Sequence, residues 1–285
     1  MAHHTTFGIG GPADIFIEIT SAVELANVIV MLNHEGIPHF TLGGGANILV
    51  GDKGIRGAVL DLSGLAWAHT SGDSISAGAG ISVDRLCENA LAFELEGLEN
   101  FYGMPGSIGG ALYMNARCYE KDFSENVETI TAISPSGTLE TLRPQAGQWS
   151  YKRSPFQPEG MWSGWIIAGA TFTLASGKAE HIADIMRSRR LDRIAKGHYR
   201  MPSAGSMFKN NRSFGKPTGR ILDSLGLKGM KIGGAAISPW HANIFINAGD
   251  ASASDMRALI RMAQEKAFSA YGFHLEPEVL FVGEF

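Results

Sequence analysis

Gly103-Met-Pro-Gly-Ser-Ile-Gly-Gly-Ala-Leu-Tyr-Met-Asn115 places four glycines, a proline and a serine within eight residues, then turns apolar. Glycine admits positive φ and lets another group approach the main chain closely. Successive main-chain N–H groups in such a loop form a concave anion site. The apolar run that follows anchors the loop to buried structure. The residues alone leave two readings open, because an isolated glycine loop is a weak signal. The loop lies against a phosphorylated cofactor, or it is a tight turn between two core segments.

A second glycine loop lies upstream. Gly43-Gly-Gly-Ala-Asn47-Ile-Leu-Val50 follows a short predicted strand at 37–42. The triple glycine suits phosphate contact, with Asn47 as a side-chain donor. Residues 48–50 read as another strand, so no helix begins there, and the Lys-Ser/Thr pair of a P-loop is missing. Gly8-Ile-Gly-Gly-Pro-Ala13 formally matches G-x-G-x-x-A. Too little chain precedes it for a first strand, and Pro12 occupies the helix entry, so it is not a Rossmann fingerprint. Phosphate contact from a β-loop-β unit points to another α+β architecture.

Outward from these loops, alternation at Ile15, Ile17 and Ile19 predicts a strand over 14–19. Ser21-Ala-Val-Glu24 is a capping box whose helix ends at Gly36. Strands are predicted at 58–62, 75–77, 126–133, 138–142 and 165–174, and a helix capped by Ser82 at 83–93. Beyond Gly177 the pattern changes to a long helix at 179–196 carrying Arg187, Arg189, Arg190, Arg193 and Lys196. Such a face either guides phosphates or is simply solvated. A loop over 203–211, a short helix at 218–225, a strand at 243–247, a helix from Ser252 to Gly272 and a last strand at 275–282 complete a second α+β region.

Composition sets bounds. A chain of 285 residues holds one large domain or two to three small ones. Thirty-six glycines without a strict period mean many tight turns, not collagen or a linker. A net charge of −4 disfavours a nucleic-acid partner. Two cysteines, Cys87 and Cys118, are too few for a disulfide framework or thiolate metal site, which fits a reducing cytoplasm. The first residues lack a basic-then-apolar signal pattern, the most apolar stretch is too short to span a bilayer, and the scattered histidines predict no metal.

Three polar clusters remain: Tyr151-Lys-Arg-Ser154, Ser203-Ala-Gly-Ser-Met-Phe-Lys-Asn210 and Glu276-Pro-Glu278. In a strand, Glu276 and Glu278 share a face. By themselves they read equally as a solvated edge, and Ser206 as a turn hydroxyl.

In order along the chain, these pieces resemble the flavin-dependent UDP-N-acetylenolpyruvoylglucosamine reductases, the MurB family. The matching motifs are Thr5-Thr-Phe-Gly-Ile-Gly-Gly-Pro-Ala-Asp14, Leu42–Val50, Gly103–Asn115 and Pro202-Ser-Ala-Gly-Ser-Met-Phe-Lys-Asn210. They continue with Leu227-Lys-Gly-Met-Lys-Ile-Gly-Gly-Ala-Ala236, His241-Ala-Asn243 and Leu275-Glu-Pro-Glu-Val279. The likeness runs almost end to end. It implies a two-lobed FAD-binding domain of the p-cresol methylhydroxylase type, with lobes at 1–55 and 56–177. A substrate-binding domain over 178–285 includes the connecting helix.

The resemblance further implies non-covalent FAD, NADPH as co-substrate, and a UDP-sugar substrate whose enolpyruvyl group is reduced to give UDP-N-acetylmuramate for peptidoglycan. It implies a bacterial cytoplasmic enzyme of cell-wall biogenesis, serving cell shape and division. No nucleic-acid partner or membrane insertion is expected, and the protein would be a monomer or weak oligomer. By position, Gly43, Gly44, Gly45, Ala46, Asn47, Ile48, Gly103, Pro105, Gly106, Ser107, Gly109, Gly110 and Asn115 match the cofactor site. Ser206 matches the proton donor, and Glu278 the carboxylate beside the reacting centre. Asn210, Lys228 and His241 match substrate-holding positions.

Some positions depart from the family. Where it reads Tyr-Arg-x-Ser, this chain has Tyr151-Lys152-Arg153-Ser154, so the arginine that steadies the substrate carboxylate is replaced by Lys152 or displaced to Arg153. Lysine keeps the charge but loses the bidentate fork. Ala46 stands at a common serine, Asn211 at a common proline, and Arg117-Cys118 at small residues. The length leaves no room for the longer type's substrate-capping loop. Two alternatives stay open: another flavin oxidase or dehydrogenase on the same fold, though 43–50 carries no histidine for covalent flavin, or a silent UDP-sugar-binding protein.

Overall fold

The structure, a computed structural model, describes residues 1–145 and 147–285. Helix starts follow their local caps. Ser21 Oγ accepts the Glu24 N–H at 3.1 Å, and Glu24 Oε2 accepts the Thr20 N–H at 2.8 Å, opening the helix Ala22–His34. Ser82 Oγ does the same for Val83–Ala92. Ala253–Tyr271 has a reciprocal box between Ser252 and Asp255, and Gly272 in the left-handed region ends it.

Contacts divide the chain into two compact units. One comprises Ile15–Gly44 and Gly57–Leu191. It contains a five-stranded antiparallel sheet in the order Leu139–Leu142, Val127–Ile133, Ile166–Thr173, Ser74–Gly78, Ala68–Ser71. In a smaller sheet, His39–Leu42 runs parallel to Ile55–Asp61. Its core centres on Phe123, whose ring meets Phe101 edge-on at 4.9 Å and Phe172 at 5.6 Å.

The other unit comprises Met1–Asp14, Gly45–Arg56 and Asp192–Phe285. Its antiparallel sheet runs Ser203–Ser206, Ile244–Asn247, Ala235–Ile237, Lys231–Ile232. The helix Ala253–Tyr271 buries Ala253, Met256, Leu259, Ile260, Ala263 and Ala267 in this unit's core, a period-3.6 stripe. Phe268, expected on that stripe, is 51% exposed.

The unit that holds 192–285 thus also takes in 1–14 and 45–56. Phe7, Ile9 and Leu49 join the core of Ala204–Val279 because Ile48–Val50 pairs in parallel with Leu280–Val282. Sequence periodicity carries no record of such a distant pairing. Three local expectations change with it. The stretch 203–211 begins with a strand instead of a loop, the last strand covers only Leu280–Val282, and Gly103–Asn115 contains the helix Ile108–Tyr113 capped by Ser107.

Candidate functional site

The two glycine loops meet through their backbones. A Cβ at Gly44 would lie 2.6 Å from Gly106 Cα, so only glycine allows this approach. Gly44 N–H donates to Ser107 Oγ at 3.2 Å, and Gly110 N–H reaches the same oxygen at 3.5 Å. Other donors are also spent on the protein. Gly103 N–H goes to Asp84 Oδ1 at 2.6 Å and Gly109 N–H to the Ala79 carbonyl at 2.9 Å. Among the described residues, the main-chain N–H groups of Gly43, Gly45, Ala46, Asn47, Gly106 and Ser107 donate to no protein acceptor. Runs of such donors in tight loops fit a pyrophosphate, which supplies acceptors without a counter-charge from side chains. Pro105 is exposed in the second loop, while Ile48 is buried at the start of its strand.

Asn115 is 1% exposed, and both arms of its amide are committed. Nδ2 donates to the Ser150 carbonyl at 2.8 Å, and Oδ1 accepts the Ser124 N–H at 3.4 Å. It therefore holds the turn that carries the substituted basic pair. In that turn Ser150 and Arg153 exchange main-chain bonds at 3.1 and 3.0 Å, and Lys152 sits at φ +56°. Ser154 Oγ donates to the Tyr113 carbonyl at 2.6 Å. Lys152 is half-buried, whereas Arg153 is exposed and lies 3.9 Å from Glu159.

Ser206 ends the strand Ser203–Ser206, opposite Ile244. A register shift between Ser203 and Ser206 marks a bulge, and Gly205 within it has φ +73°. Bulges of this kind re-aim the following side chain. Glu278 is placed beside this strand's continuation, since its N–H donates to the Met207 carbonyl at 2.8 Å. Pro277 bridges Phe208, and Lys209 Nζ pairs with Glu276 at 2.6 Å. Glu276 is tied to Lys209, and the Glu278 main chain runs next to Met207, the residue after Ser206. The Asn47 side chain, read as a phosphate donor, instead donates to the Glu278 carbonyl at 3.0 Å.

The helix Thr218–Ser224 gathers the three substrate-matched residues. Asn210 Oδ1 accepts the Thr218 N–H at 2.9 Å, and Lys228 Nζ lies 3.0 Å from Asp223. The His241 ring packs on Gly219, where a Cβ would lie 2.9 Å from its Cε1. His241 Nδ1 accepts the Asn243 N–H at 3.2 Å, so the neutral ring carries its proton on Nε2. Burial, then Lys196 and Lys228, lower its pKa. Behind it His198, with ring centroids 6.4 Å apart, is pushed down to about 4 by burial and then by Arg193.

Asn243 is the residue whose role the sequence did not reveal. It is 2% exposed, and its amide donates to the Phe208 carbonyl at 2.8 Å and accepts the Phe208 N–H at 3.0 Å. Its own carbonyl accepts the Met207 N–H at 2.7 Å. The only signal was its place in His241-Ala-Asn243. On the basic helix, Arg189 stacks on Tyr119 at 4.1 Å and Arg190 bonds Tyr102, so these cations are spent on the protein.

Comparison with known proteins gives the same picture. Residues 197–282 match the model of the UDP-N-acetylenolpyruvoylglucosamine reductase C-terminal domain, and 13–143 match an FAD-binding domain. The chain is 42% identical to the UDP-N-acetylenolpyruvoylglucosamine reductase of Treponema denticola, over 98% of this chain and 91% of that one. It is 39% identical to the enzyme of that name from Caldanaerobacter subterraneus, over 100% and 92%. The crystal structure of UDP-N-acetylenolpyruvylglucosamine reductase (MurB) from Thermus caldophilus superposes with a TM-score of 0.82 at 30% identity, covering 99% of this chain and 96% of that one.

Proposed function

The chain belongs to the UDP-N-acetylenolpyruvoylglucosamine reductase (MurB) family, and from that premise we propose that it reduces the enolpyruvyl ether of UDP-N-acetylglucosamine to UDP-N-acetylmuramate with electrons from NADPH. It is an FAD-dependent oxidoreductase of peptidoglycan precursor synthesis, α+β in fold, with an FAD-binding domain of the p-cresol methylhydroxylase type. FAD, when bound, supplies hydride transfer between NADPH and the enolpyruvyl carbon C3. In this reading segments 1–55 and 56–177 serve the cofactor and 178–285 the substrate.

The open N–H groups of Gly43, Gly45, Ala46, Asn47, Gly106 and Ser107 hold the cofactor pyrophosphate, and Gly44, Gly103, Pro105, Gly109 and Gly110 shape the loops. Hydride arriving at C3 drives charge through C2 into the substrate carboxylate, which needs a fixed cation in a sheltered site. Lys152 takes that part in preference to Arg153, because it is half-buried while Arg153 faces Glu159. Ser206 then gives its hydroxyl proton to C2, completing addition of H⁻ and H⁺ across the double bond. A positioned donor of this kind contributes roughly 10²–10⁴-fold. Glu278 stands beside the reacting centre, where a protonated or hydrogen-bonded carboxyl does not oppose the developing charge. Asn210, Lys228 and neutral His241 hold the UDP-sugar. The protein works in the bacterial cytoplasm as a monomer or weak oligomer, in the pathway that supports cell shape and division. No helix among the described residues is long and apolar enough to cross a membrane.

The observation that supports the reading is the bond from the Glu278 N–H to the Met207 carbonyl, which runs the Glu278 main chain alongside the residue after Ser206. The test is purification, a flavin spectrum, and NADPH oxidation with and without the enolpyruvyl substrate. Yellow protein with substrate-dependent oxidation is the expected result. Protein unable to take up FAD overturns the cofactor claim, and oxidation indifferent to the substrate favours another flavin dehydrogenase.

A further inference from the structure

Asn47 stands where the first glycine loop becomes the strand Ile48–Val50. Its main-chain N–H belongs to the open set, but its side chain does not face the loop's ligand alone. Nδ2 donates to the Glu278 carbonyl at 3.0 Å, and the Asn47 carbonyl accepts the Leu280 N–H at 3.0 Å. The parallel ladder with Leu280–Val282 begins one residue later, at Ile48 and Leu280. The amide thus extends the ladder back to a residue that lies before the strand. On its other side the Glu278 peptide donates to Met207 at 2.8 Å. Glu278 is thus held through both of its flanking peptides, which fixes the direction of its Cα–Cβ bond.

We propose that Asn47 is a positioning residue for Glu278. Its main-chain N–H serves the cofactor, while its side chain holds the Glu278 main chain next to the segment that follows Ser206, so cofactor seating and the placement of Glu278 share one residue. The inference rests on the functional reading above for the role of Glu278.

The test uses the reconstituted holoenzyme of Asn47→Ala and Asn47→Asp. FAD affinity comes from titrating apoprotein against flavin fluorescence, and the two half-reactions from stopped flow. For Asn47→Ala the FAD dissociation constant stays within about threefold, because no phosphate hydrogen bond is lost. Substrate reduction falls roughly 10–100-fold relative to flavin reduction by NADPH, the usual effect of a misplaced reacting group. In Asn47→Asp the ionised side chain repels the Glu278 carbonyl, and the variant recovers relative to wild type as pH falls and the acid becomes a donor. Hydrogen exchange at the Glu278 and Leu280 amides of the apoprotein quickens in both.

A fall of more than about tenfold in FAD affinity, with the ratio of half-reactions kept, would make the side chain a phosphate ligand and overturn the proposal. Unchanged exchange at Glu278 and Leu280 would overturn it as well. If the wild type binds FAD yet does not reduce the substrate, the functional reading fails, while exchange and affinity still decide what the Asn47 amide holds.

Discussion

Replacing Asn243 by alanine removes two hydrogen bonds at a place no water reaches. Phe208 and Asn243 are 0% and 2% exposed. The amide is the partner of both the N–H and the carbonyl of Phe208, so the truncation strands a buried donor and a buried acceptor. Each orphaned group costs about 1–3 kcal/mol, giving roughly 2–6 kcal/mol together. The bond from Met207 N–H to the Asn243 carbonyl is main-chain and survives. For a chain of this size the loss is a fall in Tm of about 4–24 °C, at some 2–4 °C per kcal/mol. The assay is thermal melting by circular dichroism, with urea midpoints as a second measure. Asn243→Asp sharpens it. The carboxylate still accepts the Phe208 N–H but faces the Phe208 carbonyl, so burial and repulsion raise its folded pKa. The native state then binds the proton more tightly than the unfolded chain, and stability recovers as pH falls through that raised value. An Asn243→Ala protein melting within about 2 °C of wild type would refute the clamp.

Ser206→Ala should slow substrate reduction by roughly 10²–10⁴-fold while flavin reduction by NADPH keeps its rate; an equal fall in both half-reactions excludes the proton-donor role. His198, held neutral with its pKa near 4 against 6.5 unfolded, makes the native state refuse a proton that the unfolded chain accepts. Its contribution is complete above pH 6.5 and is lost as pH falls toward 4. At 1.36 kcal/mol per unit over about 2.5 units, the loss reaches up to about 3 kcal/mol, so His198→Gln should flatten the acid limb of a urea-midpoint profile. An unchanged slope rejects this. Lys152→Gly should raise Tm slightly, since glycine adopts φ +56° freely, yet raise KM for the enolpyruvyl substrate about tenfold or more; Arg153→Ala should do neither. The opposite ranking of KM effects would move the carboxylate contact to Arg153.

The sequence foreshadowed much of this, and the failures share a cause. Caps at Ser21, Ser82 and Ser252 are local, and the helices begin where those residues place them. The two glycine loops were legible as tight turns with close backbone approach because φ freedom is a property of a few consecutive residues. Long-range pairing was not legible. Nothing near Ile48 states that Leu280 lies alongside, and nothing near Asn243 states that its amide will replace a ladder bond for Phe208. Hence Ser206 read as a turn hydroxyl, although it ends a strand whose register shifts just before it. The resemblance supplied what periodicity could not, since motif order records distant partners implicitly.

Lys152 shows how strain and substitution bear on each other. A non-glycine residue at φ +56° costs of order 1 kcal/mol and persists only where its surroundings impose it. Here they do: Asn115 holds the Ser150 carbonyl, Gln157 Nε2 holds the Lys152 carbonyl at 3.2 Å, and Ser150 and Arg153 close the turn. Asn115 is itself at φ +40° and fully committed. A buried amide thus helps to keep one lysine in an unfavourable conformation, when glycine at 152 would relieve the main-chain strain. The side chain is therefore what the strain preserves. In the proposed role, a turn that fixes the main chain at Lys152 offsets the loss of the bidentate fork when a lysine faces the substrate carboxylate.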